Sequence, residues 1–173
     1  DAGFAGSDTK PQSGMITSWE GSILVWRSSR QTVSALSTAE AELNAATLAW
    51  QVIEGVRLLI SDLGFQVVCV RLLVDSKAAL TIAECGSTWR TRYFPVPGHR
   101  LHEEHAEGRV SLEHCKTDVM LADALTKLAP ITVVAYLHAA VHGEGTDVPP
   151  VASTARAEDA SPSVPADRSF QVA

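Results

Sequence analysis

The run "QVVCVRLLVD", residues 66–75, is apolar at nearly every position, rich in Val, and ends in an acid. A strand of that composition has no polar side to turn toward water, so it reads as a central strand of a sheet covered on both faces. "SKAALTIAEC" follows at helical spacing, which places Asp75 where a strand hands over to a helix. For one Asp followed by Ser, the ordinary role at such a place is the cap of the next helix.

The segments around this strand complete an α/β pattern. "GMITSWEGSILVWRSS" reads as two strands around a tight turn at Glu20-Gly21. Ser37 or Thr38 caps a long helix to about Asp62, with Leu43, Ala46, Trp50, Ile53, Val56, Leu59 and Ile60 on its apolar side and Gly64 as its stop. "HRLHEEHAEG" reads as a short third helix, "RVSLEHC" as an edge strand, "DVMLADALTKLA" as a further helix and "ITVVAYLHAAVHG" as a last packing helix. The expected fold is an α/β sandwich with a mixed sheet. Residues 1–142 form the expected domain, and 143–173, rich in Ala, Pro, Ser, Val and Asp with no period, an expected disordered tail.

Charge bears on the partner. The net charge of −6 opposes a nucleic-acid ligand, but five acids and two arginines fall in 143–173, so residues 1–142 carry 15 acids against 12 Lys and Arg. Two bound divalent cations would bring that body to about +1. Cys69, Cys85 and Cys115 are odd in number and lack C-x-x-C spacing, so neither a disulfide framework nor a cysteine zinc site is suggested, and a reducing compartment is expected. No basic and apolar leader opens the sequence, and the longest apolar run, "LAPITVVAYLHAAV", is too short to span a bilayer. An intracellular protein with no membrane partner is expected.

Four acids stand in apolar or strand-like surroundings: Asp1, Glu42, Asp75 and Asp123. Singly each has an ordinary explanation as a cap, a dipole partner or a solvated residue. As a set, in the order strand, helix, strand end and late helix, they supply four oxygen ligands able to converge on hard divalent cations. Two such cations activate water and stabilise a leaving oxygen. In "LSTAEAEL", Glu40 and Glu42 point about 200° apart on a helix, so only one faces the interior. Glu42, on the side of Ala46 and Ala49, is the expected inward one, and Glu40 the more exposed.

Across roughly residues 1–128, "DAGFAGSDTKPQSGMI", "VWRSSRQTVSALSTAEAELNA", "LLVDSKAAL" and "HCKTDVMLADALTKLAP" together resemble the ribonuclease H domain that ends the polyprotein of copia-type LTR retrotransposons. The resemblance implies a ribonuclease H-like fold: a mixed five-stranded sheet flanked by helices, here with the first strand truncated. It implies endonucleolytic cleavage of the RNA strand of RNA/DNA hybrids, with two Mg²⁺ ions or Mn²⁺ in their place, leaving 5′-phosphate and 3′-hydroxyl ends. By motif, Asp1, Glu42, Asp75 and Asp123 become the catalytic, metal-binding acids. Glu42 is selected over Glu40 because a bulky apolar residue, Leu43, follows it. The implied partners are the hybrid and the reverse transcriptase region of the polyprotein, in the cytoplasm or within retrotransposon particles.

Candidate substrate contacts are Ser7 and Thr38 near the acids, Ser76 and Lys77 after Asp75, and Arg90 and Arg92 in "STWRTRYF", where Trp89 and Tyr93 interleave with the cations. His99, His102 and His105 recur every three residues but lack an evident fourth ligand, so a solvated face is expected rather than zinc. His114 is a candidate general acid for product release. Two features depart from the family. The sequence begins at the first acid, which suggests a fragment and puts an ammonium beside the site. Two prolines in "FPVPGHRLHEEH" delay the third helix. The alternative is a catalytically idle relic of a decayed element. An integrase-like transferase is disfavoured because its helical Glu comes last of three core acids, and an aspartic protease because no D-[ST]-G triplet occurs.

Overall fold

A computed structural model describes residues 1–3, 10–19, 21–67, 69–86, 96–142 and 169–172. Strands β1 (Ala2–Gly3), β2 (Gln12–Trp19) and β3 (Ser22–Arg30) precede the long helix α1 (Thr38–Asp62). Strand β4 (Cys69–Val74) leads into α2 (Lys77–Cys85) and α3 (Val96–Ala106), and β5 (Val110–His114) into two 3₁₀ turns, Thr117–Val119 and Leu121–Leu125. Helix α4 (Ile131–Val141) and strand β6 (Ser169–Val172) complete the described chain. The result is a mixed α/β fold.

The long helix begins as its sequence expects. The Ser37 hydroxyl accepts the Glu40 amide, satisfying one of the donors that a helix start leaves without a partner. Leu43, Ala46, Trp50, Ile53 and Ile60 are buried against Met15, Val70, Leu72, Val74, Leu101 and Leu112, while Leu59, expected inside, is exposed. On β4, Val70, Leu72 and Val74 face this core, and Leu73 turns to the other side against Cys115, Met120 and Ala122. The strand is thus covered on both faces, as its composition requires. Each fully buried side chain such as Ile53 or Leu72 contributes about 2 kcal/mol.

The sheet holds six strands rather than the expected five. β3 lies antiparallel along one edge of β2, closed by the turn at Gly21, whose φ of +81° suits a residue without a Cβ. The other edge of β2 is shared by two short strands. β1 pairs at Gln12 and Ser13, and β6 pairs at Thr17, Ser18 and Trp19. β6 also runs parallel to β4 from Cys69 to Leu72, and β5 forms the far edge, parallel to β4. The end of the segment expected to be a disordered tail is therefore a central strand. Four residues carry no readable period, and β6 is defined by the two open edges between which it fits. Residues 143–168 lie outside the described residues.

Two helix boundaries also differ. "DVMLADALTKLA" forms 3₁₀ turns in place of an α-helix. The Asp123 amide bonds to Met120 O and the Thr126 amide to Asp123 O, three residues apart, so the segment hugs the sheet instead of standing off as a regular helix. Helix α3 starts at Val96, three residues before its expected start, with Pro97 in the first turn, where the missing amide costs no intrahelical bond.

Candidate metal centre

Asp1 is set at the head of β1 by the sheet itself. Its carbonyl accepts the Gly14 amide at 3.0 Å, and its ammonium donates to the Gly14 carbonyl at 3.2 Å. Asp75 directly follows the last residue of β4, and Asp123 lies in the second 3₁₀ turn, anchored by the fully buried Ala122. Carboxylate oxygens from Asp1, Asp75 and Asp123 all lie within 4.8 Å of one another. Residues far apart in sequence thus converge at one end of the sheet.

Close approach makes this possible. A Cβ on Gly14 would stand 2.7 Å from the Ala122 carbonyl oxygen and 2.8 Å from Thr126 Cγ2, so only glycine lets the 3₁₀ segment settle on β2. The same segment brings the Thr126 hydroxyl to donate to Asp1 Oδ2 and places Lys127 Nζ 3.0 Å from Asp123 Oδ1 and 3.7 Å from Asp1 Oδ1.

Glu42 faces inward from α1, with its Oε2 3.9 Å from the Asp1 ammonium. Burial pushes its carboxyl above the ordinary value; the ammonium opposes that rise, Asp75 adds to it, and the backbone amide of Ala2 opposes it. Burial likewise lowers the ammonium of Asp1, against the pull of Glu42, Asp75 and Asp123. Asp1 Oδ1, Glu42 Oε2 and Asp75 Oδ1 are buried without a hydrogen-bond partner. Orphaned carboxylate oxygens are costly, and Asp1, whose side chain is only 1% exposed, aims one into the cluster. Hard oxygen donors of this kind suit Mg²⁺ or Mn²⁺, so the donor set fits divalent cations.

Comparisons with known proteins bear on origin. Over 124 residues, 70% of its length, the sequence is 27% identical to the Gag-Pol polyproteins of transposons Ty1-NL2, Ty1-DR6 and Ty1-LR3 of Saccharomyces cerevisiae. The chain is similar to retrotransposon Gag-Pol polyproteins. The matched region spans 7% of each of those polyproteins. No protein-family model and no solved structure matches the chain.

Glu40 is buried rather than exposed, and its Oε2 accepts the Leu36 amide at 2.7 Å, which ties down the chain entering α1. Ser76 caps α2 by accepting the Ala79 amide, while Thr38 and Lys77 are exposed first residues of their helices. Ser7, Arg90 and Arg92 lie outside the described residues. His99 is exposed, but His102 and His105 are half-buried, with ring nitrogens against the carbonyls of Ala83 and Val110, so the expected solvated face is a partly packed one. His114 is exposed at the end of β5, paired in register with Val74, the neighbour of Asp75.

Sequence reasoning missed Thr126 and Lys127, which touch the acids, although "ADALTK" contains both. It also missed a groove of about 430 Å³ whose lining includes Arg27, Arg30, Gln31, Thr32, Asn44 and Gln51 and, among the described residues, no acid. The groove reaches Ser13, the neighbour of Gly14. Gln31 braces it, donating to Ser13 Oγ at 2.9 Å and to the Ala41 carbonyl at 2.8 Å. Its residues come from β2, β3 and α1, so no local motif announces it.

Proposed function

We propose that this chain is a ribonuclease H-like domain of a copia-type retrotransposon polyprotein, cleaving the RNA strand of RNA/DNA hybrids with two divalent cations, Mg²⁺ or Mn²⁺. The observation that carries the reading is the convergence of Asp1, Asp75 and Asp123 within 4.8 Å, backed by the inward Glu42, with carboxylate oxygens buried and unpartnered. Similarity to Gag-Pol polyproteins of Ty1, a copia-type element, supports the setting. Asp1, Glu42, Asp75 and Asp123 would hold the cations, which when bound would supply activated water and charge stabilisation at the leaving oxygen. Water attacks phosphorus, the bond to the 3′ oxygen breaks, and the products carry a 3′-hydroxyl and a 5′-phosphate.

The chain's own residues set the geometry. Thr126 orients the Asp1 carboxylate by its hydrogen bond, and Thr117 donates to Asp75 Oδ2 at 3.2 Å. The groove with Arg27 and Arg30 suits a phosphate backbone running past the acids, because among the described residues its cations and amides share the lining with no carboxylate. Ser7, Thr38, Ser76, Lys77, Arg90 and Arg92 are the further contacts of this reading, and His114 its candidate general acid for product release. The domain acts beside the reverse transcriptase region of its polyprotein, in the cytoplasm or within particles.

The test is cleavage of a labelled RNA/DNA hybrid with Mg²⁺ or Mn²⁺ by the chain and by Asp75→Asn. Cleavage of the RNA strand that requires metal and Asp75 supports the nuclease. Folded protein that binds metal and leaves the hybrid intact would turn the reading toward an idle relic.

A further inference from the structure

Lys127 is a cation placed among ligands for cations. Its Nζ lies 3.0 Å from Asp123 Oδ1 and 3.7 Å from Asp1 Oδ1, and so contacts two of the three carboxylates that converge within 4.8 Å. An ordinary helical surface pair joins two exposed side chains four residues apart. Here the second partner, Asp1, comes from the opposite end of the domain, and its side chain is 1% exposed while that of Lys127 is 50% exposed. The other ion pairs among the described residues that involve an arginine, at Arg57, Arg71, Arg100 and Arg109, use acids outside the site.

Position and stem explain what such a group does. Three acids this close repel one another without a compensating charge. An ammonium on a flexible four-carbon stem compensates part of that charge and, unlike a buried planar guanidinium, swings into water when displaced. The half-exposed stem leaves that path open. Thr126 binds Asp1 through Oδ2, whereas Lys127 approaches Oδ1, the oxygen with no hydrogen-bond partner and thus the one open to a metal ion.

We propose that Lys127 is a built-in competitor for the metal: its ammonium neutralises Asp1 and Asp123 in the metal-free protein and must leave for a divalent cation to enter, so that this side chain sets the metal affinity of the site. The proposal rests on the metal-centre reading above. An ammonium beside Oδ1 repels a divalent cation that binds there, and the apparent affinity falls by the fraction of molecules in which Lys127 holds the acids.

The experiment is titration of the full chain with Mn²⁺ at fixed neutral pH, following free Mn²⁺ by electron paramagnetic resonance, for wild type, Lys127→Met and Lys127→Arg. Thermal unfolding in chelator is measured alongside. Lys127→Met, which keeps an apolar stem, is expected to bind Mn²⁺ about tenfold more tightly and to unfold at lower temperature without metal. Lys127→Arg, which keeps the charge, is expected to bind no more tightly than wild type and to hold the metal-free stability. Equal or weaker binding by Lys127→Met overturns the proposal while leaving the metal centre intact. Absence of saturable binding in wild type and both variants, with folding shown by a cooperative melt, overturns the metal centre and the proposal with it.

Discussion

Gly14 on β2 lies under Ala122 of the second 3₁₀ turn, so close that a Cβ at Gly14 would come within 2.7 Å of the Ala122 carbonyl oxygen. The contact joins two segments that each bring an acid, since Gly14 pairs with Asp1 and Ala122 precedes Asp123. Gly14→Ala is therefore expected to push the turn off the sheet and cost about 2 kcal/mol. It should also weaken metal binding, because Thr126 and Lys127 move with the turn. Chemical denaturation and Mn²⁺ titration check both effects; a variant with unchanged stability would show that the turn yields freely.

Glu42 predicts a pH effect of known sign. Burial holds its folded-state value above the ordinary one. Its contribution is therefore fully present below the unfolded value and is lost as pH rises through the folded value. In chelator, Glu42→Gln should melt at higher temperature than wild type at neutral pH, with the difference shrinking toward about pH 4. Added Mg²⁺ should stabilise wild type more than the variant. Melting curves across pH decide it, and a Gln variant less stable at neutral pH contradicts the argument.

Glu113 has the opposite sign. Arg71 donates to its two oxygens at 2.8 and 2.6 Å, and this hydrogen-bonded pairing holds the Glu113 carboxyl below its ordinary value. The stability it adds is present above the unfolded value and disappears as pH falls through the lowered folded value. Both side chains are partly exposed, so screening limits the cost of Glu113→Gln to about 1 kcal/mol at neutral pH. Urea midpoints should converge for the two proteins in acid; a constant gap down the pH scale would place the effect in packing.

Deletion of residues 169–173 removes β6 from between β2 and β4. The facing backbone groups of Thr17–Trp19 and Cys69–Leu72 lose their sheet partners there. Amide exchange at those residues should accelerate, and the melting temperature should fall by about 5 °C. Unchanged exchange at Thr17–Trp19 would mean that β6 contributes nothing in solution.

Local signals made much of the fold legible. Ser37 as cap and the apolar spacing from Leu43 to Ile60 define α1, because capping and helical period act within a few residues. The β4 run defines a doubly covered strand by composition alone, and Asp75 at its end follows from chain order. The inward side of α1 likewise marked Glu42, since Ala46 and Ala49 share its face.

What sequence by itself determined, then, is where helices and apolar strands lie and which acids stand at their ends. Tertiary structure alone decided that Asp123 rides on a 3₁₀ turn, that Ser169–Val172 is a central strand, and that Lys127 reaches Asp1. Each of these depends on an edge, a close approach or a charge contact supplied by a distant segment. Propensity and periodicity, which sum over neighbours in the chain, carry no information about such partners.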